Sequence, residues 1–262
     1  MNKSILSGSL VSVFASLLLT SCTRSPQLPA PCSDFFPMGV GTCWEYTGRV
    51  KWTPENGGSA EADVTWEIKV LSRQSVGPFD VAIVRGFPSG LAWQAPESCK
   101  PVDYLVVRTG QGRYYRIEPF DAQKDGGLLS SAKLLTEACT EYRLFLFSGM
   151  RKGDTWAFDP YDAPRTDGWY QWHVEKETIA KTAGGAPVIQ YTLAYRTNPD
   201  HTITDFAPGI GLVRYQYVHH GTVAECDLRL VNFSAGKPGT ANSTIQPFRS
   251  PIRMAGSLPP GS

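Results

Sequence analysis

From Asp63 to Val70 the chain alternates with a strict period of two. Val64, Trp66, Ile68 and Val70 fall on one side, and Asp63, Thr65, Glu67 and Lys69 on the other. Successive strand side chains point to opposite faces, so this pattern sorts cleanly on a half-buried strand and on no helix. An earlier run does the same, with Trp44, Tyr46, Val50 and Trp52 opposite Glu45, Arg49 and Lys51. The two runs are joined through Pro54-Glu55-Asn56-Gly57-Gly58, where Asn and Gly accept the positive φ of a tight hairpin. Further strands are expected at 80–86, 104–109, 113–118, 169–177, 187–196, 212–219 and 223–233. Thr109–Gly112, Asn198–Asp200 and His219–Thr222 read as turns. Only Leu128, Ala132, Leu135, Cys139 and Tyr142 follow helical spacing. The expected fold class is therefore mainly β: a curved antiparallel sheet, half-barrel or sandwich-like, with one helix. Apolar residues make up 42% of the chain, enough to fill such a core and to exclude wholesale disorder.

The N-terminus reads as an address. Lys3 precedes an apolar stretch from Ile5 to Leu19, too short for the roughly 20 residues of a membrane-spanning helix. Small polar residues close it, as in a secretory signal peptide. Its last four residues, Leu19-Thr20-Ser21-Cys22, resemble the lipobox of bacterial lipoproteins. That resemblance implies cleavage after residue 21 and lipidation of Cys22, with diacylglycerol on the thiol and an acyl chain such as palmitate on the new amine. The lipid bilayer is then a partner, because each buried methylene contributes about 0.8 kcal/mol and several chains hold a domain almost permanently. Thr23, rather than Asp, follows the cysteine, which by the same resemblance implies the outer membrane over the inner.

The expected organisation is a signal peptide over 1–21, a lipidated Cys and Pro-rich tether over 22–33, one β-rich body over 34–233 and a disordered tail over 234–262. Pro26, Pro29 and Pro31 stiffen the tether, and the tail is rich in Gly, Pro, Ser and Thr without apolar spacing. Lys plus Arg total 25 against 24 for Asp plus Glu, and removing residues 1–21 takes Lys3 alone. The mature chain is neutral and lacks the positive field of a nucleic-acid binder, so no nucleic-acid partner is expected.

Two segments share the pattern Met-x-x-Gly-x-x-Trp-x-aromatic: Met38–Tyr46 and Met150–Phe158, offset by 112 residues throughout. They suggest two related β units, 34–147 and 148–233. The first copy sits in Phe35-Phe36-Pro37-Met38-Gly39-Val40-Gly41-Thr42-Cys43-Trp44-Glu45-Tyr46. This is similar to the opening of many poorly characterised bacterial lipoproteins, which carry an aromatic-Pro segment, a Gly and then Trp-x-Tyr. Asp205-Phe206-Ala207-Pro208-Gly209-Ile210-Gly211-Leu212-Val213 resembles a later Gly-x-Gly-Leu-Val segment of the same proteins. The resemblance implies a curved antiparallel sheet, sometimes a half-barrel around a helix, and no assigned activity. Met38 stands where leucine is usual, and Cys43 directly before the Trp is a second departure. Pro208–Gly211 is not a dinucleotide fingerprint, since a strand follows it where a helix N-terminus would be needed.

Five cysteines remain beside Cys22: Cys32, Cys43, Cys99, Cys139 and Cys226. In an oxidising envelope two disulfides and one spare thiol are expected, with Cys99–Cys139 and Cys43–Cys226 as candidate pairs. No Cys-x-x-Cys, His-Glu-x-x-His or Gly-x-Ser-x-Gly occurs, so no metal, cofactor or catalytic residue is assigned. The most suggestive surface is Trp169–Glu175. There Trp169, Gln171, His173 and Glu175 would share a strand face and could bind a sugar through an aromatic, an amide, an imidazole and a carboxylate. Three function classes follow. The first is a non-catalytic envelope lipoprotein binding an apolar ligand or a protein partner. The second is a carbohydrate- or peptidoglycan-binding module using the 169–175 face. The third is an envelope hydrolase with an unrecognised site.

Overall fold

The structure is a computed structural model that describes residues 35–117, 125–157, 167–182 and 184–236. The signal segment, Cys22, the tether with Cys32, and the tail beyond Gly236 lie outside the described residues. The strands are β1 (Cys43–Trp52), β2 (Ala60–Val76), β3 (Phe79–Arg85), β4 (Asp103–Arg108), β5 (Arg113–Ile117) and β6 (Leu144–Phe147). They continue as β7 (Thr155–Trp156), β8 (Trp172–Lys181), β9 (Pro187–Arg196), β10 (Asp200–Ala207), β11 (Gly211–His219) and β12 (Ala224–Ser234). All pairings are antiparallel, in one sheet of order β6-β5-β4-β3-β2-β1-β12-β11-β10-β9-β8-β7.

That order describes two meanders, β1–β6 and β7–β12, joined where the first strand pairs with the last. The remaining edges, β6 and β7, are neighbours in sequence, so the sheet curls round to bring them together as a nearly closed barrel. Side chains rather than ladder bonds fill this seam. Phe147 and Trp156 meet edge to face with centroids 5.3 Å apart, and Met150 is fully buried beside them.

The period-two face of β1 points into the barrel: Trp44, Tyr46 and Val50 are buried, and so are Trp66, Ile68 and Val70 from β2. The Trp44 indole donates to the carbonyl of Ile210, and the Tyr46 hydroxyl donates to the carbonyl of Leu212 at 2.8 Å. The Gly209 N–H donates to the Phe35 carbonyl at 3.0 Å, and the Phe35 and Phe206 rings lie 5.0 Å apart. The two segments that resemble secreted lipoproteins therefore pack on each other. Gly211 is needed there, because its φ is +105° and an added Cβ would lie 2.8 Å from Trp44 Nε1.

The two Met-x-x-Gly-x-x-Trp segments form the same turn. Gly41 N–H donates to Val70 O, Thr42 N–H to Gly39 O, and Val70 N–H to Thr42 O. At the second copy Gly153 donates to Val174 O, Asp154 to Arg151 O, and Val174 to Asp154 O. Gly41 and Gly153 both have positive φ, and the register slips directly after both Val70 and Val174.

Several sequence expectations are corrected. β8 starts at Trp172, not Trp169, because Trp169-Tyr170 is a turn with Tyr170 at φ +59°. β6, β7 and β10 carry no clean alternation and had not been expected. The expected helix is one short α-helix, α1 (Ala132–Ala138), between two 3-10 turns. It is capped by Ser131, whose hydroxyl accepts from Leu134 N–H at 3.3 Å, and it buries Leu135.

Gly48 of β1 faces β12 so closely that a Cβ there would collide with the Asp227 carbonyl. Gly48→Ala should lower stability by about 1–3 kcal/mol in urea unfolding, through overpacking at the one pairing that joins the meanders. Asp227 also receives Arg214 at 3.0 and 2.7 Å, and that guanidinium holds its carboxyl below the usual range. Its contribution is present above the unfolded value of about 3.9 and lost as pH falls through the lower folded value. Asp227→Asn should therefore flatten the fall of Tm below about pH 4, seen by thermal melts across that window.

Candidate functional site

The inward faces of the sheet do not meet everywhere. They leave a cavity of about 570 Å³, within the range of about 300–1,000 Å³ common for small-ligand sites. One wall comes from the second meander: Trp172 of β8, Leu193 and Tyr195 of β9, Thr202 and Thr204 of β10, and Leu212, Tyr215 and Tyr217 of β11. The facing wall comes from Arg116 of β5, Tyr142, and Phe145 and Leu146 of β6. Phe87, Pro88 and Ser89 cover it from the 3-10 segment Pro88–Trp93, which packs across β1 and β12.

Among the described residues Arg116 is the charged member of this lining. Its guanidinium lies 5.1 Å from the Phe87 ring centroid, 5.8 Å from Tyr104 and 5.9 Å from Phe145. Such ring faces attract a cation and fix its plane. A second cavity of about 310 Å³ shares Arg116, Tyr142, Phe145 and Trp172 with the first and adds Arg143. Among the described residues no carboxylate lines either space. The arrangement suits a ligand with an apolar or aromatic body.

The four residues singled out at 169–175 do not form one face. Gln171 is buried, at 3% exposure. The Trp169 ring sits edge-on to His201 at 5.5 Å. His173 contacts Glu175 at 3.3 Å and Arg196 at 3.2 Å, and Arg196 closes the triad on Glu175 at 2.5 Å. Burial opposes ionisation of Glu175, but Arg196 and His173 outweigh it and hold the carboxyl low. His173 and Glu175, two apart along β8, lie on one side, while Trp172 turns into the cavity. Next to them the His201 and His220 rings meet edge to face at 4.5 Å, and burial, His220 and Arg196 together depress the His201 pKa.

An Asp–His contact exists elsewhere. Asp200 accepts from the Tyr217 hydroxyl at 2.6 Å and meets His219 Nδ1 at 2.7 Å. Burial works against the Asp200 charge, and these two partners reverse that and lower its pKa. Among the described residues the histidine side-chain contacts are with Glu175, Arg196, Asp200 and another histidine. Cys43, Glu45 and Glu67 bring ligand-type atoms within 4.8 Å of one another on the outer face. The Cys43 thiol donates to Glu67 at 3.2 Å, and burial with Glu67 pushes it up to about 11.

Both candidate disulfides are corrected, since Cys43, Cys99, Cys139 and Cys226 are all free thiols. Cys226 pairs across from Val50, seven residues along β1 from Cys43. That separation is about 23 Å at the usual strand rise, far beyond disulfide reach. Cys139 caps α1 beside Arg143, whereas the nearby thiol that acts on Cys226 is Cys99.

No protein-family model matches this sequence, and no curated protein does. Among the solved structures similar to the chain are the following two. One is a candidate lipoprotein of Parabacteroides distasonis ATCC 8503, with 15% identity and a TM-score of 0.33 over 78% of this chain and all of that one. The other is a candidate exported protein with a YmcC-like fold from Bacteroides fragilis NCTC 9343. It has 13% identity and a TM-score of 0.35 over 78% of this chain and all of that one.

The cavity-lining residues were missed because inward-facing polar and aromatic residues look like ordinary strand residues in sequence. The available signal was Thr202 and Thr204, spaced by two opposite His201 and Asp205. Burial, Asp227 and Cys99 push the Cys226 thiol up to about 12. Its alkylation by iodoacetamide at pH 8 should be slower than in the denatured chain by about three orders of magnitude, as peptide mass mapping would show.

Proposed function

We propose that this protein is a lipid-anchored cell-envelope protein that binds a small apolar or amphipathic ligand inside its barrel without transforming it. The carrying observation is the cavity of about 570 Å³, walled by Trp172, Leu193, Tyr195, Leu212, Tyr215 and Phe145. An apolar ligand placed there leaves water at about 25 cal/mol per Å² buried, and the strand scaffold pre-forms the site at little ordering cost. Anchoring rests on the lipobox at Cys22 and the tether that follows it, with the outer membrane favoured by Thr23. The carbohydrate reading has less support, because Gln171 is buried and His173 and Glu175 are held by Arg196. A hydrolase would need a nucleophile beside Asp200 and His219.

The test is fluorescence titration of the body over 34–236 with the neutral probe N-phenyl-1-naphthylamine. Saturable binding is expected, and Thr202→Trp, which places an indole in the cavity, should weaken it by about tenfold or more. A wild-type body that gives no saturable signal would overturn the proposal. In cells, Cys22→Ala should move the chain from the membrane to the soluble fraction on centrifugation, since the acyl anchor is lost.

A further inference from the structure

The second meander lines the cavity in two cross-strand rows. Thr202 of β10 sits between Tyr195 of β9 and Tyr217 of β11, and Thr204 sits between Leu193 and Tyr215. In both rows a small side chain with a hydroxyl is flanked by larger ones. Strand side chains stand roughly upright on their sheet. The rows therefore make a trough with its floor on β10 and its walls on β9 and β11. The floor ends at Phe206, which is fully buried, and at Asp200, whose carboxylate is held by Tyr217 and His219.

This trough has the width of one flat ring. Tyr195 and Tyr217 stand two strand spacings apart, about 9.6 Å at the backbone, and the concave inner face draws their side chains closer. A ring with an aromatic face on either side needs about 7–8 Å, twice the ordinary carbon–carbon contact. Both walls are braced from behind. The Trp172 ring lies 5.4 Å from Tyr195. Tyr217 donates its hydroxyl to Asp200 at 2.6 Å and has the Trp93 ring at 6.0 Å. Walls fixed in this way lose little freedom when a ligand enters.

The floor supplies polarity. Thr202 and Thr204 lie two residues apart on one strand, so about 6.8 Å separates them. Among the described residues neither hydroxyl has a hydrogen-bond partner, although Thr204 is only 5% exposed. Buried polar groups are nearly always paired, and a ligand atom that bonds to such a hydroxyl offsets its desolvation cost.

We infer that the trough takes a flat aromatic ring system, inserted edge-on between Tyr195 and Tyr217, with a hydroxyl or carbonyl on its inner edge bonded to Thr202 or Thr204. This rests on the ligand-binding reading above and adds the ligand's shape and the polar group it carries.

The test displaces N-phenyl-1-naphthylamine from the body over 34–236 with naphthalen-2-ol, naphthalene and decahydronaphthalen-2-ol. The two alcohols share a carbon skeleton, but only the first is flat. Naphthalene is equally flat and lacks the hydroxyl. Naphthalen-2-ol should bind about tenfold or more tighter than the saturated alcohol, because only the flat ring stacks on both walls. It should also bind about threefold or more tighter than naphthalene, since a hydroxyl without a partner would weaken binding by its desolvation cost. Combining Thr202→Val with Thr204→Val keeps the volume and removes both floor hydroxyls, so the preference over naphthalene should vanish or reverse. Tyr195→Leu should cut the preference for the flat alcohol to within about threefold. Each effect is a ratio of two ligands on one sample, so a lower folded fraction does not alter it. Absence of either preference in the wild type, or a hydroxyl preference that survives the double substitution, would overturn the inference and leave the ligand-binding reading standing. Failure of the probe and all three compounds to bind would overturn that reading instead.

Discussion

The pairing of β1 with β12 is the constraint on which the rest of the structure depends. Each meander is built from neighbours in sequence, with hairpins that close locally. Only this pairing, Cys43–Trp52 against Ala224–Ser234, joins them into one sheet. It brings together residues separated by most of the chain, so it carries a loop-closure cost that the local hairpins do not. The contacts that reinforce it are correspondingly specific. Gly48 lets the backbones approach at Asp227, and Trp44 and Tyr46 reach past β12 to the carbonyls of Ile210 and Leu212. These bonds fix the curvature of the sheet at its centre, and that curvature is what returns β6 to β7.

The seam opposite this junction is made differently. There the edges meet through Phe147, Met150 and Trp156, with aromatic packing in place of a ladder. A cylinder zipped on both sides would have uniform walls. This one is laddered at one junction and packed at the other, and Phe145 and Trp172 beside the seam help line the cavity. The outer surface carries the ionic ties: Arg85 with Asp103, Arg214 with Asp227, and Arg196 with His173 and Glu175. Exposed pairs of this kind contribute little individually. On the inner side Asp80 pairs with Arg73 and Arg108, on the sheet face that also carries Arg116.

Much of the fold was legible in the residues. The alternation in 44–52 and 64–70 located β1, β2 and the inward face, and the Asn-Gly turn located their hairpin. The shared Met-x-x-Gly-x-x-Trp pattern marked two turns with the same hydrogen bonds. What failed did so for physical reasons. β6 reads Leu-Phe-Leu-Phe, which has no polar phase to set a face. The 169–175 stretch alternated on paper, but Tyr170 at positive φ holds Trp169 and Gln171 outside the strand, so only His173 and Glu175 of the proposed face stay together. The cysteine pairs failed because spacing along a chain says nothing of register: Cys43 and Cys226 lie at opposite ends of paired strands.

By itself, the sequence determined the local and one-dimensional properties: an apolar run from Ile5 to Leu19 shortly before Cys22, a near-neutral overall charge, strands with a period of two, and turns where Gly or Asn permit positive φ. These follow from short-range sterics and hydropathy, which any stretch of chain carries with it. Only the tertiary structure decided that the sheet curls almost shut, that the segments at 35–46 and 205–213 pack on each other, and that Arg116 lines a largely apolar cavity. Those outcomes depend on which distant strands become neighbours, and no local pattern encodes a partner more than a hundred residues away.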